Sequence, residues 1–254
     1  MNTRSLLLGA PLLLSAFATL ALAGPAQVDG PRIIAADREP GNWMSHGRTY
    51  DEQRYSPLNS VNADNIGQLG MAWTTKLDID SGTEATPLVV DGVMYTTGAF
   101  SIVYAINAAT GELLWKYDPK VPAENLGQGC CGPVNRGVAV WQGKVYVGSF
   151  DGRLIALDAG TGQMVWSVDT LIDRSKSYSI TGAPRIVKGK VLIGNGGAEY
   201  GVRGYITAYD AETGAQKWRW FSVPGDPSQP FEDESMRRAA KTWDPAGKYW
   251  EAGG

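Results

Sequence analysis

Three stretches of the chain align without gaps: Ala105-Ile-Asn-Ala-Ala-Thr-Gly-Glu-Leu-Leu-Trp115, Ala156-Leu-Asp-Ala-Gly-Thr-Gly-Gln-Met-Val-Trp166 and Ala208-Tyr-Asp-Ala-Glu-Thr-Gly-Ala-Gln-Lys-Trp218. From Trp115 to Trp166 is 51 residues, and from Trp166 to Trp218 is 52. A unit of that period cannot bury its apolar face alone. Its core forms between stacked neighbours, which selects a solenoid or a propeller.

Each copy carries the same upstream pieces. Val93-Met-Tyr, Val145-Tyr-Val and Val191-Leu-Ile are short β-branched runs, each following a turn glycine, and Pro87-Leu-Val-Val, Val138-Ala-Val and Pro184-Arg-Ile-Val lie further upstream. That makes roughly four strands per repeat, the content of one propeller blade. Asn107, Asp158 or Asp210 is placed to bond its own backbone, and Gly111, Gly162 or Gly214 to supply a positive φ, which predicts a tight hairpin between the third and fourth strands. The Trp four residues after each glycine is expected to pack between adjacent blades. A degenerate copy ends at Trp73. The predicted fold is therefore an all-β propeller of which three to four blades are present. After Trp218 the sequence, with Pro224, Pro227 and Pro230, shows no strand pattern.

Residues 6 to 23 are apolar, with Arg4 ahead, Gly9, Pro11 and Ser15 within, and Ala21-Leu22-Ala23 behind. The pattern predicts a cleaved signal peptide over 1–23 in preference to a membrane anchor, and an exported, periplasmic domain over 24–254 with no transmembrane anchor after cleavage. The formal net charge of −3 and the lack of Lys/Arg runs argue against nucleic acid as a partner. The lone histidine, His46, precludes multi-histidine metal sites and reads as a surface or hydrogen-bonded residue.

The two cysteines are adjacent, in Gly129-Cys130-Cys131-Gly132-Pro133. An even count in an exported chain suggests a disulfide. A trans peptide holds neighbouring Cα atoms ~3.8 Å apart, below the usual ~4.4–6.8 Å of a bridge. Such a ring restrains almost no loop and offers little chain-entropy return. It reads better as a rigid surface for a ligand than as a staple, with a reduced pair as the alternative.

The repeat, the vicinal cysteines, Arg136, the segment Gly194-Asn-Gly-Gly-Ala-Glu-Tyr-Gly201, and Asn42-Trp43 with Tyr50-Asp-Glu-Gln-Arg-Tyr-Ser-Pro57 together resemble the alcohol dehydrogenases that use pyrroloquinoline quinone (PQQ), the quinoprotein and quinohaemoprotein enzymes of methanol and ethanol type. The resemblance covers essentially the whole chain after residue 23. It implies an exported eight-bladed propeller that oxidises primary alcohols to aldehydes by hydride transfer to the quinone and passes electrons to a cytochrome c-type acceptor. Its metal is usually Ca²⁺, with a lanthanide also open.

Residue by residue, the resemblance implies that Cys130 and Cys131 form a disulfide ring stacking on the quinone. Arg136 would pair with one of its carboxylates, for which a planar fork is suited. Glu84 would contact the cofactor and Thr181 would donate its hydroxyl. Gly196, Gly197 and Ala198 would let backbone approach the quinone edge. Glu199 would be a metal ligand, since Ca²⁺ takes ~6–8 oxygens.

The family's aspartate base, its asparagine metal ligand and the tryptophan flooring the cofactor fall beyond the segment that resembles Trp250-Glu-Ala-Gly-Gly254. No catalytic residue is assigned by motif, and the expectation is an N-terminal portion inactive by itself. No Cys-x-x-Cys-His occurs, so haem c is not encoded in this chain. The alternative is a non-catalytic periplasmic propeller scaffold, which needs neither the vicinal cysteines nor the Gly-Gly-Ala-Glu segment.

Overall fold

The structure is a computed structural model and describes residues 25–79 and 83–253. The predicted signal peptide, 1–23, lies outside the described residues. Among the described residues twelve strands make three antiparallel four-stranded sheets, each built from consecutive strands in sequence order. The first is β1 (Leu88–Val90), β2 (Val93–Thr97), β3 (Val103–Asn107) and β4 (Leu113–Tyr117). The second is β5 (Ala139–Trp141), β6 (Lys144–Gly148), β7 (Arg153–Asp158) and β8 (Met164–Asp169). The third is β9 (Arg185–Val187), β10 (Lys190–Gly194), β11 (Tyr205–Asp210) and β12 (Gln216–Phe221). These are three complete propeller blades.

The repeated sequence has the conformation its residues dictate. In the second blade, Asp158 Oδ1 accepts from the amides of Gly160 at 3.1 Å and Thr161 at 2.8 Å. Asn107 and Asp210 make the same pair of bonds in the other two turns. Gly162 sits at φ +71°, and a Cβ there would meet the Trp115 ring at 2.6 Å. The glycine is thus required twice, for its backbone and for the indole lying on it. The register slips at the same point of every blade, between Ala105 and Ile106, Ala156 and Leu157, and Ala208 and Tyr209, a bulge that skips one residue of the outer strand.

Neighbouring blades meet through a fixed device. Trp115 Nε1 donates to the Ala159 carbonyl at 3.0 Å, and the Tyr95 hydroxyl donates to the same oxygen at 3.2 Å. One blade on, Trp166 Nε1 and the Tyr146 hydroxyl both donate to the Ala211 carbonyl, at 3.2 and 3.0 Å. Trp73 docks likewise, its ring against Gly111 and its Nε1 donating to the Ala108 carbonyl at 3.2 Å. The expected partial copy before the first blade is therefore present as a docked tryptophan, and no strand is assigned to the described residues around it.

Beneath the blades a continuous core joins Leu88, Tyr95, Val140, Tyr146, Leu154, Ile186 and Val191 to residues of the N-terminal segment, Val28, Ile33 and Met44. That segment contains α1 (Gly30–Ile34), whose first turn is capped by Asp29 accepting from the Arg32 amide at 2.8 Å. Trp43 then pairs with Val89, covering the free edge of β1. Beyond β12 the chain forms α2 (Glu234–Ala239) and α3 (Tyr249–Ala252). No helix of the described residues is long and apolar enough to cross a membrane.

Candidate functional site

The segments leading into the first strand of each blade converge. Thr83 forms a parallel bridge with Asn135, the Thr86 amide donates to the Arg136 carbonyl at 3.3 Å, and the Arg136 amide donates to the Thr181 carbonyl at 2.9 Å. A fourth segment, the turn after β10, joins through Ser179 and Gly196, whose amide donates to the Ser179 carbonyl at 2.7 Å. Every residue named from sequence as a site candidate lies on one of these four segments. Hydrogen bonds between them, made where regular strands have not yet begun, satisfy backbone groups that the sheets cannot reach.

Arg136 is the hub. Its Nη1 donates to Thr181 Oγ1 at 2.7 Å and its Nη2 pairs with Glu84 Oε2 at 3.0 Å. Cys130 and Cys131 are joined by a disulfide with Cα atoms 3.8 Å apart, and both residues are exposed. Gly129 before them lies against the Phe150 ring, which a Cβ would meet at 2.5 Å. Gly197 has φ +109°, and a side chain there would collide with the Ser177 carbonyl. Backbone at this turn therefore borders the cavity directly.

Cys130, Cys131, Arg136, Phe150, Thr181, Gly196, Gly197 and Glu199 line one recess of about 100 Å³. Arg136, Thr181 and Gly196 are also walls of a wider cavity of about 650 Å³, reached by His46, Glu52, Arg185 and Asn195. Glu84 joins the site through Arg136. Ala198 and Glu199 border an adjoining cavity beside Trp220. Of the nine residues named from sequence, the recess thus gathers seven, with Glu84 and Ala198 at its margins. Sequence reading missed Asn135, Phe150 and Ser179. The only available signal was the position of Asn135 next to Arg136.

The electrostatics of the wider cavity come from paired groups. Arg185 Nε donates to Glu52 Oε1 at 2.5 Å and holds that carboxyl below its ordinary range. His46, which reads from sequence as a surface or hydrogen-bonded residue, is half-buried, and its Nδ1 has no partner among the described residues. Burial first, then the nearby Arg185 and Arg54, push its imidazole toward the neutral form.

This donor set suits a planar, multiply charged acid. A guanidinium fork and a hydroxyl face a disulfide surface, and a glycine cradle leaves room that any side chain would fill. PQQ, with three carboxyls on a flat ring system, has that shape. For a metal the walls offer Glu199. No group of three or more His, Cys, Asp or Glu stands together among the described residues, so most of a hard cation's ~6–8 oxygens would have to come from elsewhere, the cofactor included.

Comparison with known proteins agrees with this geometry. Residues 43–248 match the family described as "PQQ: Glucose/ethanol/alcohol dehydrogenase, beta-propeller domain". The chain is 66% identical over 238 residues to quinohemoprotein alcohol dehydrogenase ADH-IIG of Pseudomonas putida, covering 93% of this chain and 33% of that protein. It is 57% identical over 213 residues to the 1-butanol dehydrogenase (cytochrome c) of Thauera butanivorans, covering 84% of this chain and 31% of that one. The crystal structure of the quinohemoprotein alcohol dehydrogenase from Comamonas testosteroni superposes with a TM-score of 0.87 at 61% identity, over 90% of this chain and 34% of that one. The chain spans about a third of the length of the curated relatives it matches. With its three blades, its vicinal disulfide and this match, the chain belongs to the PQQ-dependent glucose/ethanol/alcohol dehydrogenase family, within the propeller domain.

Proposed function

We propose that the chain forms part of a PQQ site, contributing the disulfide wall, the carboxylate anchor and one metal carboxylate to an enzyme that oxidises primary alcohols to aldehydes. The observation that carries this reading is the recess in which the segments of the second and third blades bring Cys130-Cys131, Arg136, Thr181, Gly196, Gly197 and Glu199 together. PQQ bound with Ca²⁺, or with a lanthanide of similar ligand preference, supplies a two-electron acceptor for the alcohol's hydride.

The chain's own residues bind and orient. Arg136 is held from two sides before any ligand arrives, by Thr181 and by Glu84, so little rotamer freedom is left to lose on binding. The disulfide ring presents two sulfurs with no strong hydrogen-bond donor, a surface suited to an aromatic face. Gly196 and Gly197 let main chain border the cavity, and Glu199 provides a hard oxygen. Glu199 is the one carboxylate lining the recess among the described residues and is assigned to the metal. No residue here takes the part of general base, and these residues alone are expected to hold the cofactor without oxidising alcohol.

The disulfide fits an oxidising compartment, which supports export by residues 1–23 to the periplasm, with 24–254 as the propeller portion. The name of the Thauera relative supports a cytochrome c-type acceptor. A titration tests the reading: PQQ with CaCl₂ should quench tryptophan fluorescence saturably, and chelation should weaken the effect. Absence of saturable quenching would favour a scaffold role, which leaves the recess without a purpose.

A further inference from the structure

Asn135 precedes Arg136 and is fully buried, at 0% exposure. Its side-chain Nδ2 donates to Ser101 Oγ at 3.0 Å and to the Gly148 carbonyl at 2.8 Å. Its Oδ1 accepts from the Gly137 amide at 3.0 Å and from Thr97 Oγ1 at 2.9 Å. A carboxamide offers two donors and two acceptor sites, and here all four are used. Thr97 ends β2, Ser101 follows it, and Gly148 ends β6. Ser101 Oγ in turn accepts from the amide of Phe150, whose ring supports Gly129. One amide thus ties the first and second blades to the loop that carries both the disulfide and Arg136.

We propose that Asn135 is the positioning residue of this site: it fixes the backbone on both sides of Arg136, so that the guanidinium meets Thr181 and Glu84 and presents its fork to a carboxylate ligand. This rests on reading the recess as a PQQ site. Arg136 itself is 45% exposed, and packing alone does not lock so open a side chain. Thr181 and Glu84 hold its tip, and the backbone that aims it at them is bracketed by the Gly137 amide donating to Asn135 Oδ1 at 3.0 Å and Thr97 Oγ1 donating to the Asn135 carbonyl at 3.4 Å. The residue type is dictated as well. Aspartate keeps the two acceptors but turns negative charge on Ser101 and Gly148. Alanine takes one partner from each of four buried groups, Thr97, Ser101, Gly137 and Gly148.

The test compares wild type, Asn135→Ala, Asn135→Asp, Arg136→Ala and the double variant Asn135→Ala/Arg136→Ala by PQQ titration in CaCl₂ and by amide hydrogen exchange. Each Asn135 substitution should raise the PQQ Kd about tenfold, the scale of a lost buried hydrogen bond or two. In the Arg136→Ala background, Asn135→Ala should add less than about twofold, because no guanidinium is left to place. The Arg136 and Gly137 amides should exchange at least about tenfold faster, while those of β6 keep their protection. Tyr146→Phe, which removes a buried hydrogen bond between the second and third blades at a residue that lines neither the recess nor the wider cavity, serves as the stability control and should keep wild-type affinity. Ser101→Ala, which removes one of the four partners, replaces Asn135→Ala if that variant does not fold. Wild-type affinity in the Asn135 variants, equal losses in both backgrounds, or unchanged exchange at Arg136 would each overturn the proposal. If wild type itself binds no PQQ, the cofactor reading fails, and amide exchange alone decides whether Asn135 holds Arg136.

Discussion

Arg136 grips Thr181 twice, once with its guanidinium on the hydroxyl at 2.7 Å and once with its amide on the carbonyl at 2.9 Å. Side chain and main chain of one residue therefore read the same partner across the seam between the second and third blades.

Replacing Arg136 with Ala should weaken PQQ binding by about ten- to a hundredfold, the range of a hydrogen bond to a charged group (about 1.5–3 kcal/mol). Arg136→Lys should fall between, since it keeps the charge and loses the fork. Fluorescence titration measures both. An Arg136→Ala curve identical to wild type would remove this residue from the site.

Reduction of the Cys130-Cys131 bridge should add about 2 Da to the intact mass, two hydrogens for one broken S–S bond. The reduced chain, and a Cys130→Ala/Cys131→Ala variant, should bind PQQ more weakly while the three sheets stay folded by circular dichroism, because the ring braces no long loop.

Gly197→Ala forces a side chain onto a backbone at φ +109° and into the Ser177 carbonyl. Strain of that kind costs on the order of 1–3 kcal/mol. Thermal unfolding should show a lower Tm, and Ca²⁺-dependent PQQ binding should fall with it as Glu199 shifts. An unchanged Tm would mean the turn is freer than it looks.

Alkali should unfold the protein through its seam tyrosines. Burial pushes the Tyr95 hydroxyl up to about 12 and also raises those of Tyr146 and of Tyr205, which donates to the Thr170 carbonyl of the second blade at 3.0 Å. The folded state keeps these protons where the unfolded chain, with tyrosines near ~10, has begun to lose them. Stability is therefore fully present below about pH 10 and declines as pH rises toward the folded values. Tm measured from pH 8 to 12 should drop steeply above pH 10, and less steeply in Tyr95→Phe. Equal slopes would exonerate Tyr95.

The blades are legible in the sequence because their information is local. Asn107, Asp158 and Asp210 meet the turn amides within three residues, and the same glycine and tryptophan recur at fixed offsets. The vicinal cysteines were equally plain, being neighbours. What sequence could not show lies in contacts between segments far apart in the chain. Asn135 meets Ser101 and Thr97 across more than thirty residues, and no periodicity marks such an encounter. His46 reads as a surface or hydrogen-bonded residue in a polar loop, and only the fold shows it on the wall of the wider cavity. Trp73 reads from sequence as the end of a degenerate copy, and what the sequence does not show is that it docks on Gly111 and Ala108 with no strand assigned to the described residues around it.

The two carbonyls that each take an indole and a phenol, Ala159 and Ala211, make the seams between the three blades a plug and socket of one pattern. The socket belongs to the turn of one unit and the plug to the unit before it, so the second blade carries both halves of the connection. A gene segment encoding one such unit can be duplicated or deleted without designing a new joint. Ring size then depends on how steeply successive units are inclined to each other, and lineages are free to vary the number of units while the joint stays the same.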